Sequence, residues 1–207
     1  MVDESGSRRQ TAEERREQIL DAALRVFSEK GYNGASIRDI AREVGVTEGL
    51  LYHYFASKEQ ILHACWKEHS WHTHLQRILG SSEGVPLEQV LRALVIDFLQ
   101  SLYEKAPMVR MCASEMQHNS EIAAFYMERI EENQRLIHHF LHTRQLNGEI
   151  RPDADLAVVA GLLMGSAYSL FLLYNRADPE TWERMVHSLA HGGIDVIMQG
   201  IVPRNSS

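Results

Sequence analysis

Cysteine, proline and long apolar runs are scarce in this chain, and an excess of positive charge is missing altogether. Its 207 residues include 2 cysteines and 5 prolines. Cys65 and Cys112 lie too far apart in sequence to suggest a disulfide framework. No apolar run is expected to approach the roughly 18 residues that cross a bilayer. The polar Met1–Gln10 stretch lacks the apolar segment of a signal peptide. A cytoplasmic protein with no membrane partner is therefore expected. The formal net charge of −7 speaks, taken alone, against nucleic acid. Even in residues 1–60, Arg8, Arg9, Arg15, Arg16, Arg25, Lys30, Arg38, Arg42 and Lys58 face slightly more acids. Bulk charge is a coarse filter, since a small motif can place a few cations well while its acids point elsewhere. No nucleophile–base pair occurs in a recognisable catalytic context, so neither an enzyme nor a cofactor is expected.

What is present is helical spacing of apolar residues from Thr11 to Ile201, which reads as about nine helices. Thr11 and Glu14 form a capping box at the start of the first, and Ile19, Ala22, Ala23, Val26 and Phe27 make its apolar stripe. Gly31 is its expected stop. Ser36 and Asp39 open a short second helix that Gly45 breaks, and Thr47 caps a third. Ser57 and Gln60 start a long fourth helix reaching about Leu79. Pro86 and Pro107 suit the first turns of the fifth and sixth. A seventh runs from about Ser120 to Gln145, Asp153 is expected to cap the eighth, and Asp178-Pro179 opens the ninth. The expected boundaries are a flexible tail at 1–10, a first domain at 11–56 and a helical body at 57–202.

The informative stretch is SIRDIAREVGVTEGLLYHYFASK, from Ser36 to Lys58. Two short amphipathic helices joined by a Gly-containing turn are the sequence form of a helix-turn-helix. Ile40, Ala41, Val46, Leu51 and Phe55 can bury against the first helix, which leaves Thr47, Glu48, Gly49, Tyr52 and His53 on an outward face. A helix so placed enters the major groove with its N-terminal residues near base edges. Thr47, Tyr52 and His53 can donate to phosphates, and Lys58 sits at a helix start that also favours an anion. Gly49 lets the backbone come close, and Arg38 and Arg42 can reach the flanking backbone. Such contacts position a protein, whereas base edges specify. Glu48 is the candidate for that second role, because a carboxylate accepts from the cytosine amino group.

The same block resembles the N-terminal signature of TetR-family regulators. The resemblance is carried by Phe27 to Tyr32 (F-x-x-x-G-Y), then Ser36, Ile37, Ile40 and Ala41, then Gly45-Val46-Thr47, then Leu51, Tyr52, Tyr54, Phe55, Ser57, Lys58, Glu59 and Ile61. It implies an all-α fold, with an N-terminal three-helix helix-turn-helix DNA-binding domain ahead of a C-terminal helical ligand-binding and dimerisation domain. It also implies that Thr47, Tyr52, His53 and Lys58 contact DNA, with Ser36 and Arg38 near phosphates. An acid at Glu48 departs from the usual pattern.

The eighth helix is apolar around much of its circumference, through Leu156, Val159, Ala160, Leu163, Met164, Ala167, Leu170 and Phe171. Such a helix needs a second partner. Gly161, Met164, Gly165 and Phe171, with Met185, Leu189 and Ile197 of the ninth, are the expected homodimer interface. A two-fold dimer would set two recognition helices on a palindromic operator in double-stranded DNA, roughly 34–36 Å apart or somewhat more. The resemblance further implies a cavity for a small-molecule effector among helices four to eight. Its candidate lining is Trp66, Phe98, Leu102, Met108, Met111, Met116, Phe125, Tyr126, Phe140 and Tyr168, with Glu115 and His118 as a polar end. Methionines and aromatics suit an apolar or amphipathic effector. Ligand would act by population shift through the fourth helix, which joins Lys58 to Trp66. Repression, relieved by the effector, is the expected sign of regulation. The rival is a metal-responsive regulator using His69, His72 and His74, or the i, i+4 pairs His138/His142 and His187/His191. It lacks an H-E-x-x-H motif or an acid cluster, so no metal residue is assigned.

Overall fold

The computed structural model describes residues 4–68 and 70–203, and of residues 4–11 the backbone alone. The elements are α1 (Glu4–Gly34), α2 (Ile37–Val44), α3 (Glu48–Tyr54), α4 (Lys58–Glu68), α5 (His72–Gly80), α6 (Leu87–Glu104), α7 (Ala106–Glu115), α8 (Ser120–Leu146), α9 (Leu156–Tyr174), α10 (Pro179–Ser188), a π-helical turn (Leu189–Gly193) and α11 (Ile194–Ile201). No strand occurs among the described residues, so the fold is all-α. Taking α4 and α5 as two parts of the expected fourth helix, and α10 to α11 as the ninth, gives nine helices among the described residues. The chain divides into two compact units, Met1–Ser70 with Pro107–Ala123, and Trp71–Ala106 with Ala124–Ser207. The division places α4 and α7 with the first three helices, where the sequence suggested a cut after residue 56.

The first unit is organised by α1. Ile19, Leu20, Ala22, Ala23 and Phe27 are wholly buried, and Ile40, Leu51 and Ile61 of α2, α3 and α4 are 0–1% exposed. Each larger apolar side chain so buried stabilises the unit by about 1.5–3 kcal/mol. α1 is already helical at Glu4, ahead of the expected start. Thr11 therefore lies inside the helix, where no N–H is left for a capping box to satisfy. Gly31 interrupts it with a φ of 71° and a ψ of 165°. The Ser36 hydroxyl caps α2, in a reciprocal box with Asp39. Gly45, with a φ of 79°, closes the other end: its N–H and that of Val46 fold back on Arg42 and Ala41. Thr47 then caps α3 by accepting from the Leu50 N–H at 3.3 Å. Two closed ends and a left-handed glycine thus fix the angle between α2 and α3.

The second unit is built on α6, which packs against α5, α9, α10 and α11. Leu91, Leu94 and Leu99 are fully buried there. The single long fourth helix expected from Ser57 to Leu79 is not found. α4 ends at Glu68, and α5 starts at His72 after Trp71, which is 6% exposed and donates its indole N–H to Asp97 at 2.6 Å. His69 lies outside the described residues. Asp155, not Asp153, caps α9, accepting from Ala157 and Val158, while Asp153 pairs with Arg151 at 2.8 Å. Asp178 caps α10 with Pro179 in the first turn, as expected.

α9 overturns the expectation about apolar runs. It has 19 residues and no charge, enough by length and composition to cross a membrane. Leu156, Val159, Ala160, Leu163, Ala167 and Phe171 are nevertheless buried within the second unit, the packing of a core helix. At the π-helical turn the side chain of Leu189 fills the space over Gly193, where an added Cβ would come within 2.8 Å. The carbonyl of Ala190 in that turn accepts from Arg92 of α6 at 2.9 Å.

Candidate nucleic-acid interface

The outer side of α3 carries the residues the sequence assigned to it. Thr47, Glu48, Gly49, Tyr52 and His53 are exposed, Tyr52 at 54%, while Leu51 on the opposite side is 1% exposed. Ser36 and Arg38 are exposed too. Arg38, Ala41 and Arg42 of α2 and Val46, Thr47 and Glu48 line one surface depression of about 590 Å³. Positive and negative groups share its walls, so Glu48 sits where cations would otherwise dominate.

Three acids of the first 60 residues are engaged within their unit, and the pairs engage Lys30, Arg42 and Arg25 as well. Asp39 takes Lys30 at 2.7 Å and also bonds Arg42, Glu43 takes Arg25 at 2.9 Å, and Glu59 accepts from the Tyr32 hydroxyl at 2.8 Å. Hydrogen bonds from Lys30 and Ser36 hold the Asp39 carboxyl well below the usual range. Backbone N–H donation, then Ser57 and Tyr32, lower Glu59. Burial, followed by Glu59, raises the Tyr32 phenol. These carboxylates are engaged by neighbours of their own unit. Thr47, Tyr52 and His53 share the outward face of α3 with Glu48.

Lys58 is placed differently from the other expected contacts. It is half-buried, and its ammonium donates to the carbonyls of Tyr32 and Ala35 at 2.8 and 2.9 Å. It also lies 4.3 Å from the Tyr32 ring centre. Two of its three N–H groups are thus engaged.

The expected effector-binding residues fall in both units. In the first, Met108 and Met111 are buried, and the Trp66 indole N–H donates to the Cys112 sulfur at 3.2 Å. Glu115 accepts from Asn33 at 2.9 Å, so its carboxylate is committed within the unit. In the second, Phe98 packs on Trp71 with ring centres 4.6 Å apart, and Leu102 and Tyr126 are buried. Phe125 lies under Arg129, and Tyr168 lies 6.3 Å from Phe171. A separate open groove of about 920 Å³ runs beside the Leu79–Pro86 segment and the end of α8. Of the residues expected at the effector site only Phe140 lines it, beside Arg144.

For the expected dimer face, Gly161 and Gly165 are exposed, and Met164, Met185, Leu189 and Ile197 are half-buried. Phe171 is corrected: it is fully buried, edge-on to Trp182 at 6.5 Å, and belongs to the core of its own unit. The outward stripe instead carries Val158, Leu162, Leu172 and Leu173, each at least 47% exposed. The sequence signal for them was present, because Val158, Gly161, Leu162, Gly165 and Leu172 recur at helical spacing. No group of three His, Cys, Asp or Glu suited to a metal occurs among the described residues. His72 meets Asn133 at 2.9 Å, His74 lies 3.3 Å from Asp97, and the rings of His187 and His191 lie 4.2 Å apart.

A helix-turn-helix with an exposed second helix, followed by a wholly helical remainder, defines a DNA-binding transcription regulator. Residues 19–65 match the family described as bacterial regulatory proteins, tetR family, and residues 86–189 match the tetracyclin repressor-like C-terminal domain. The chain belongs to the TetR family, and it is a regulator rather than an enzyme. It is 26% identical to the HTH-type transcriptional regulator UidR of Escherichia coli K12, over 77% of this chain and 81% of the relative. It is also 26% identical to the HTH-type transcriptional repressor KstR2 of Mycolicibacterium smegmatis, over 83% of this chain and 84% of that one. In fold it is similar to the transcriptional regulator FadR of Bacillus subtilis, solved in complex with stearoyl-CoA. That match has a TM-score of 0.73 and 22% identity, over 89% of this chain and 98% of that one.

Proposed function

We propose that the protein is a cytoplasmic repressor that binds a palindromic operator as a homodimer and is released by a small apolar or amphipathic effector. The observation that carries the reading is the outward face of α3, with Thr47, Tyr52 and His53 in the open and Leu51 sealed behind them. Thr47, Tyr52, His53, Arg38 and the remaining N–H of Lys58 grip phosphates, Gly49 lets the backbone approach, and Glu48 reads a base edge, while Ser36 gives both its hydroxyl proton and its N–H to Asp39. The second face of α9, apolar and exposed through Val158, Leu162 and Leu172 around Gly161 and Gly165, supports a second copy as partner. Sign and effector class draw support from relatives: KstR2 is a repressor, and FadR was solved with an acyl thioester.

The test is selection of bound duplexes from a random pool by the purified full-length protein, followed by anisotropy titration of the winner. An inverted repeat with a two-fold stoichiometry is expected. Enrichment of direct repeats or single half-sites would overturn the dimeric operator reading, and no enrichment would overturn operator recognition as a whole.

A further inference from the structure

Two cations beside the face formed by α2 and α3 share a single acceptor. Oδ1 of Asp39 accepts from the ammonium of Lys30 at 2.7 Å and from the guanidinium of Arg42. Oδ2 accepts from the Ser36 hydroxyl at 2.7 Å and from the Ser36 N–H at 3.1 Å. A capping box needs only that second oxygen. The first is free of the cap, and it is the one that takes both cations. The Asp39 side chain is 14% exposed and held by four donors, whereas Lys30 and Arg42 are 44% and 72% exposed. Asp39 is therefore the fixed member of the trio, and the two long side chains come to it. Arg42 also lines the depression that holds Arg38, Thr47 and Glu48, so its guanidinium stands at the edge of the face assigned to duplex.

We propose that Asp39 limits the sequence-independent part of the affinity for duplex DNA by withholding Lys30 and Arg42 from phosphates. The proposal rests on the duplex-binding face assigned to α2 and α3 and deepens it. Affinity for duplex of any sequence grows with the number of phosphates that lysines and arginines neutralise. Lys30 and Arg42 must leave Asp39 before they can join that number. Their departure strands a carboxylate oxygen that is largely shielded from water, and an acceptor left unsatisfied there is costly. The spacing of Arg42 in α2 aims it at flanking backbone, but the fold gives one of its nitrogens to Asp39.

Asp39→Asn separates the cap from the clamp. Asparagine can keep its oxygen on Ser36, and its amide NH2 then stands in place of Oδ1, where it accepts nothing. The test follows binding of the full-length protein to a duplex of scrambled sequence by anisotropy across a range of salt concentrations. Wild type, Asp39→Asn, Arg42→Met and the double variant are compared. Asp39→Asn should steepen the fall of log K with log salt by about 0.9–1.8, the counterions of one or two further phosphates. Arg42→Met should leave the wild-type slope unchanged, and should lower it by about 0.9 in the Asp39→Asn background. Additive effects would show that Asp39 acts through its charge alone and would overturn the proposal. So would a wild-type slope that drops by about 0.9 on Arg42→Met, because Arg42 would then already grip a phosphate. That second result stands even if Asp39→Asn does not fold. A wild type that binds no duplex at any salt would overturn the duplex-binding face itself.

Discussion

Lys58 is tied to Tyr32 twice over: its ammonium donates to the Tyr32 carbonyl at 2.8 Å and lies 4.3 Å from the same residue's ring centre. Its second bond, to Ala35, closes the turn that leads into α2. Lys58→Met leaves two carbonyls short of a donor and should destabilise the fold by about 1–3 kcal/mol. Urea unfolding checks this. A variant of unchanged stability that no longer binds duplex would assign the residue to phosphate alone.

Tyr52 is 54% exposed and has little packing to lose. Tyr52→Ala should weaken operator binding by about 1–2 kcal/mol, the scale of one phosphate hydrogen bond and its ring contact. Melting temperature and sedimentation should not change. Anisotropy titration showing full affinity would remove Tyr52 from the interface.

Glu48 shares the depression of Arg38 and Arg42, so it offsets positive potential as well as offering an acceptor. Glu48→Ala should therefore tighten binding to duplex of any sequence. It should also relax preference at one position of each half-site, by about 1–3 kcal/mol of discrimination. Repeating the duplex selection with the variant gives the answer. An unaltered consensus would count against base readout.

Gly165 is exposed, and an added Cβ would find open space around it within the single chain. Gly165→Asp should leave the helical content intact while placing a charge in the face assigned to the second copy, where an unpaired carboxylate is costly to desolvate. Monomers are expected in analytical ultracentrifugation. A dimer of unchanged affinity would place the interface on other elements.

Cys65 and Cys112 are buried, and burial pushes both thiols up to about 12. A raised thiol pKa leaves less thiolate in the folded chain than in the unfolded one at any pH below that value, so both should be inert towards a thiol reagent at pH 8. Ellman titration should detect them only after urea is added. Rapid labelling of the native protein would show that the core around Trp66 opens.

Legibility followed the range of the interactions. Gly45, Thr47 and Ser36 act on residues at most a few positions away, so the helix-turn-helix and its caps could be read directly from spacing. The end of α4 could not, because neither glycine nor proline marks it. The anchor that follows it, the bond from Trp71 to Asp97, spans 26 positions. Phe171 fits the same apolar pattern as Leu172, and only packing against Trp182 shows which of the two faces inward. In α9, alternating inward and outward apolar residues hid an uncharged length that a count from Leu156 to Tyr174 would have found.

The π-helical turn at Leu189–Gly193 has a bearing on how this chain can change over time. A π turn fits one residue more than an α turn into the same revolution. Deleting one residue there would leave a continuous α-helix in which Val196, now 69% exposed, keeps nearly its present bearing about the axis. Relatives differing by that single deletion would offer the same outer surface along α11 and change only the turn whose Ala190 carbonyl meets Arg92.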